Sequence, residues 1–107
     1  MASARSRWVA VLSCSALVAC VSVDSAHQNF LNINGGMVGK NADAREVQGK
    51  RNPETRFQVT RLANGNLEEG YRLSRGACRY YFEIEERSRT IVSWRYEGSK
   101  DACAVWP

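Results

Sequence analysis

A chain of 107 residues with a formal charge of +4 and about a quarter of its residues charged has room for one small globular domain. Its fifteen basic residues are interspersed with eleven acidic ones. No run of lysine and arginine reaches the five to eight of a polyanion patch, so the composition argues against a nucleic-acid binder.

The first twenty residues, MASARSRWVAVLSCSALVAC, place Arg5 and Arg7 ahead of an uncharged apolar run from Trp8 to Ala19. A cationic start, a short apolar stretch and small residues before a cut are the layout of a secretory signal. The run is shorter than the ~20 apolar residues that cross a bilayer. Its end, Leu17-Val18-Ala19-Cys20, resembles the lipobox of bacterial lipoproteins. That resemblance implies removal of residues 1–19 and acylation of Cys20, and it sets aside Cys14, which leaves too short an apolar stretch before it. Three acyl chains would anchor the mature chain stably to a membrane. By analogy with the sorting of such lipoproteins, Val21 in place of an aspartate after Cys20 makes the resemblance imply the outer membrane of a Gram-negative cell, with the chain facing the periplasm. Without Arg5 and Arg7 the mature chain carries thirteen basic and eleven acidic residues, a balance of +2.

Residues 20–36 are expected to form the lipidated cysteine and a polar flexible tether, with one apolar cluster at Phe30, Leu31 and Ile33. His27, the single histidine, falls in that tether and is expected to be solvated. Residues 37–107 are expected to fold. Between Gly39 and Pro53 a short helix is available, capped by Asn41 or Asp43, with Ala42, Ala44 and Val47 on its apolar side and Asn52-Pro53 ending it.

After Pro53 the pattern takes period two. Phe57, Val59, Arg61 and Ala63 form one alternating set; Leu67, Glu69, Tyr71 and Leu73 a second; Cys78, Tyr80, Phe82 and Ile84 a third; Val92, Trp94 and Tyr96 a fourth. Turn residues at 64–66, 74–77 and 87–89 separate them. The expected fold is therefore α+β, a short N-terminal helix packed on a four-stranded antiparallel meander. A three-residue loop at 64–66, with Asn66 left-handed, keeps the apolar sets on one face and pairs Val59 with Tyr71 and Phe57 with Leu73. Continued registers align Tyr71, Tyr80 and Tyr96, place Ile84 by Val92 and Phe82 by Trp94, and set Tyr81 against Arg95. With Cys20 acylated, Cys78 and Cys103 remain as a pair in an oxidising compartment, and a disulfide between them is expected to staple the domain.

The opposite face carries Arg72, Arg79, Tyr81, Glu83, Glu85, Ser93, Arg95 and Glu97. It is read either as a solvated sheet face or as a docking surface. In the second reading Arg79, Tyr81 and Arg95, expected to be exposed, are the candidate partner-binding residues, because tyrosine and arginine often anchor interfaces. No catalytic residue is assigned: there is no Ser/His/Asp set, and Glu83, Glu85 and Glu86 suit a solvated strand better than an acid/base pair. No metal site, cofactor or small-molecule substrate is inferred.

Residues 37–97 resemble the SmpA/OmlA family of outer-membrane lipoproteins, which serve β-barrel assembly. The resemblance rests on Gly39 before the helix, Pro53 after it, and the Asn64-Gly65 turn followed by Tyr71. The chain departs from the family pattern at Lys50, Arg51 and Asn52, where an apolar residue and a glycine are usual, and in its Cys78 and Cys103 pair. Two functions follow as expectations: a non-enzymatic outer-membrane lipoprotein that binds another envelope protein, or a periplasmic inhibitor that captures a hydrolase.

Overall fold

The computed structural model describes residues 22–51 and 53–106. The expected signal segment, residues 1–19, and Cys20 lie outside them. Helix α1 spans Val23–Gly35, α2 spans Arg45–Arg51, and strands β1 (Arg56–Arg61), β2 (Leu67–Leu73), β3 (Cys78–Ile84) and β4 (Ile91–Glu97) follow. The strands form one antiparallel sheet in the order β1-β2-β3-β4, the expected meander. Among the described residues, no helix is long and apolar enough to cross a membrane.

Helix α1 corrects the expected tether. Ser22 caps it, its Oγ accepting from the Ser25 amide at 3.1 Å, and Asp24 sits in the first turn where the helix dipole favours an anion. The buried positions Ala26, His27, Phe30 and Asn34 recur at helical spacing. Phe30 meets Tyr80, Trp94 and Tyr96 edge to face, with ring centroids 5.5–5.7 Å apart. His27 is buried rather than solvated. Its Nδ1 lies 2.7 Å from the Cys103 carbonyl. A carbonyl only accepts, so Nδ1 is the donor in that bond, and Nε2 lies within hydrogen-bond reach of the Tyr96 hydroxyl at 3.3 Å.

Helix α2 occupies the expected segment and contributes Val47 to the core. Residues 39–42 run beside the start of β4: the Gly39 amide donates to the Ile91 carbonyl at 2.7 Å, and the Ala42 amide to the Arg89 carbonyl at 2.7 Å. Part of the β4 edge is thereby covered.

Three details of the sheet differ from expectation. The β1–β2 turn has three residues, but they are Ala63, Asn64 and Gly65, closed by the Leu62 amide on the Asn66 carbonyl at 2.8 Å. Gly65, with φ 89°, takes the left-handed position that Asn66 was expected to fill, because it has no Cβ to clash. Val59 therefore pairs with Glu69, not Tyr71. A bulge between Arg56 and Gln58 then turns Phe57 to the other face of the sheet, away from Leu73. In β4, Ser93 pairs with Glu83 and Ile91 with Ile84. This bulge puts Ile91 in the core and leaves the expected core residue Val92 exposed. The rows Tyr71, Tyr80, Tyr96 and Phe82, Trp94 stand as expected.

The Cys78–Cys103 disulfide is present. It holds the carboxy-terminal segment against α1, where the Val105 amide donates to the Ala26 carbonyl at 2.9 Å and Asn29 Nδ2 donates to the Val105 carbonyl at 3.2 Å. The bridge links residues 25 apart in sequence. Cys103→Ser is expected to lower stability by about 2–5 kcal/mol, read by urea denaturation; unchanged stability would show the staple to be dispensable.

Candidate interaction surface

With α1 and the carboxy-terminal segment against one face of the sheet, no described element covers the opposite face, and Arg72, Arg79, Ser93, Arg95 and Glu97 on it are exposed. Its centre is Gly70. A Cβ there would meet the Phe57 ring and the Tyr81 ring at 3.0 Å, so the two aromatics lie over bare backbone. They contact each other edge to face at 6.0 Å.

Arginines stack on this aromatic pair. Arg95 Cζ is 3.8 Å from the Tyr81 centroid, Arg72 Cζ is 4.6 Å from that of Phe57, and Arg79 Cζ is 6.0 Å from it. Arg95 also donates to both Glu68 oxygens, at 2.9 and 3.2 Å, and to Glu97 at 3.1 Å. The Tyr81 hydroxyl and then Arg95 hold the Glu97 carboxyl below its ordinary range. At the other end, Asn66 and Asn64 donate to Glu83 at 2.7 and 3.1 Å and lower its pKa.

The three predicted site residues thus share this face, with Tyr81 against Arg95 as expected and Arg79 across from Glu97. One property is corrected: Tyr81 is only 5% exposed, because Phe57, Gly70 and Arg95 enclose it. It supports the face while the arginines present it.

A second cluster was not anticipated. Inside the domain, Arg51 Nη1 donates to Glu69 at 2.6 Å and to the Tyr71 hydroxyl at 2.8 Å, and Nη2 donates to the Ala42 carbonyl at 2.6 Å. The Tyr71 hydroxyl donates to Glu69 at 2.5 Å. Burial, then the hydrogen bond to Glu69, pushes the Tyr71 phenol far above its ordinary range. This network ties α2 to β2 beneath the surface. The signal in the sequence was Glu69 at an apolar position of the β2 alternation: a carboxylate facing a core needs a cation. Among the described residues no cluster of histidine, cysteine, aspartate or glutamate is placed to hold a metal.

Compared with protein-family models, curated proteins and solved structures, the chain matches none.

Proposed function

We propose that this chain is a non-enzymatic lipoprotein, acylated at Cys20, held on the periplasmic side of the outer membrane, and bound to another envelope protein through the open face of its sheet. The observation that carries the reading is the face itself, left uncovered while its arginines are set on aromatic rings. Arginine and aromatic side chains are the residue types that dominate interface energetics. The lipobox-like end of the leading segment and the Cys78–Cys103 disulfide support an exported chain. Because α1 begins at Val23, only Val21 and Ser22 separate Cys20 from the helix, a reach of about 10 Å. The domain would therefore sit close to the bilayer instead of at the end of a long tether. The SmpA/OmlA resemblance makes barrel assembly the process to look in.

The test is capture from detergent-solubilised membranes by the full chain, compared with the double variant Arg79→Gln, Arg95→Gln. Tyr81 is left intact because truncating a buried aromatic would disturb the fold. Both changes lie on the surface and should each cost less than about 1 kcal/mol of stability. Capture is expected to fall while melting stays nearly constant, and Cys20→Ser should abolish lipid labelling. Full capture by the double variant would show that the face is merely solvated. Recovery of a hydrolase in place of envelope-assembly proteins would favour an inhibitor.

A further inference from the structure

Arg51, Arg61, Arg89 and Arg95 each have a carboxylate within 3.1 Å. Arg45, Arg72, Arg75, Arg79 and Arg87 make no ion pair with a described residue; Arg45 opens α2 and Arg87 lies in the β3–β4 turn, while Arg72, Arg75 and Arg79 cluster at one end of the open face. There a groove of about 570 Å³ lies between the start of β1 and the β2–β3 turn. Arg56, Arg72 and Arg75 line it together with Phe57 and one carboxylate, Glu54. Arg56 has only a long contact, 3.8 Å, to Glu69. Arg79 flanks the groove, 6.0 Å from the Phe57 centroid. Glu97 is its cross-strand neighbour, but that carboxylate is already engaged by Arg95.

We infer that this groove binds an extended acidic segment of a partner protein. Charge complementarity is the first argument: positive charge without an internal partner is concentrated beside an open groove, while elsewhere on the sheet it is neutralised. The second is the presentation of the guanidinium groups. Arg72 lies over Phe57 at 4.6 Å, which restrains its plane and leaves its N–H edge free for the two-pronged geometry of a carboxylate. The third is an unpaired strand end. Among the described residues the β1–β2 register stops at Arg56–Tyr71, so the end of β2 at Arg72 and Leu73, which lines the groove, has no β1 partner, and such an end accepts an extended chain. Cationic side chains spread along an aromatic floor suit successive carboxylates better than one compact anion.

This inference rests on the reading that the open face docks a protein, but its test needs no envelope partner. The full chain, purified in neutral detergent, is titrated against a fluorescein-labelled peptide of alternating glutamate and threonine, with the glutamine–threonine peptide as control. The glutamate peptide is expected to bind, more weakly as salt rises, and the control not to bind. The variant Arg72→Gln, Arg75→Asn, Arg79→Gln should weaken binding roughly tenfold or more, since several exposed pairs are lost together. Asparagine is chosen at 75 because Arg75 has φ 57°, which asparagine tolerates. If the triple variant melts early, Arg75→Asn with Arg79→Gln should still weaken binding severalfold. No binding of the glutamate peptide, or equal binding by a folded variant, overturns the inference. So does tighter, arginine-dependent binding of pyrophosphate or of phosphatidylglycerol vesicles, which would mark a phosphate site. A chain that binds the peptide but captures no envelope protein would overturn the docking reading and leave the groove standing.

Discussion

Replacing Glu69 by alanine is expected to destabilise the domain by about 3–5 kcal/mol, because it strands a buried cation. Glu69 is 3% exposed and Arg51 5%. Without the carboxylate, Arg51 Nη1 keeps only the Tyr71 hydroxyl, which loses its own acceptor at the same moment. The network already has a defect, since Arg51 Nε is buried with no hydrogen-bond partner among the described residues. Arg89 and Arg56, at 3.7 and 3.8 Å from Glu69, would also lose their nearest buried anion, although Arg89 keeps Asp43. The double change Arg51→Met, Glu69→Leu removes both charges and should cost much less than the single one, since a buried ion pair can often be exchanged for apolar packing. Small domains are stable by only about 5–15 kcal/mol, so the single variant should show a clear fall in its urea midpoint. A loss below about 1 kcal/mol for Glu69→Ala would mean that water reaches Arg51 and that the network is not sealed.

The same residues show what sequence reasoning can reach. β3 was legible because Cys78, Tyr80, Phe82 and Ile84 alternate without interruption, and its pairing with β4 at Tyr81–Arg95 and Phe82–Trp94 followed from turn length. The bulges were not legible. One extra residue in a strand leaves no mark in composition, and Ile91 and Val92 are equally good strand residues, so nothing said which would face inward. The parity that assigned Tyr81 to the outer face was right, but the exposure drawn from it was wrong, because that depended on Gly70 across the strand pair leaving a gap for a ring to fill. The disulfide followed from the lipobox resemblance, which sets Cys14 and Cys20 aside and leaves Cys78 and Cys103 as a pair. Arg51 was visible only as a departure from a family pattern; its partner Glu69 lies 18 residues away on another element. Helix α1 was missed because two of its four buried positions are His27 and Asn34. Their polar groups are satisfied by the Cys103 and Phe30 carbonyls, which a hydrophobic pattern cannot register.

That missed helix supplies the other large expected effect. Phe30→Ala should destabilise the domain by about 3–5 kcal/mol, the range for removing a fully buried aromatic. Phe30 is 1% exposed, and its ring touches those of Tyr80, Trp94 and Tyr96 together. Its loss would leave a cavity lined by rings that are fixed by the sheet on one side and by the helix on the other, so neither wall can close on it cheaply. The carboxy-terminal segment should loosen with it, because Val105 and Cys103 hydrogen-bond to Ala26 and His27 on the same helix. Ile33→Ala, on the more exposed flank of α1 at 37% exposure, is the matched control and should cost less than about 1 kcal/mol. Urea denaturation followed by tryptophan fluorescence reads both, since Trp94 packs directly on Phe30. A tether would predict the opposite pattern: alanine at 30 and at 33 would be equally harmless. If Phe30→Ala leaves the midpoint unchanged, α1 is not part of the cooperative fold, and the proposed lipid anchor at Cys20 would again be separated from the sheet by a loose segment.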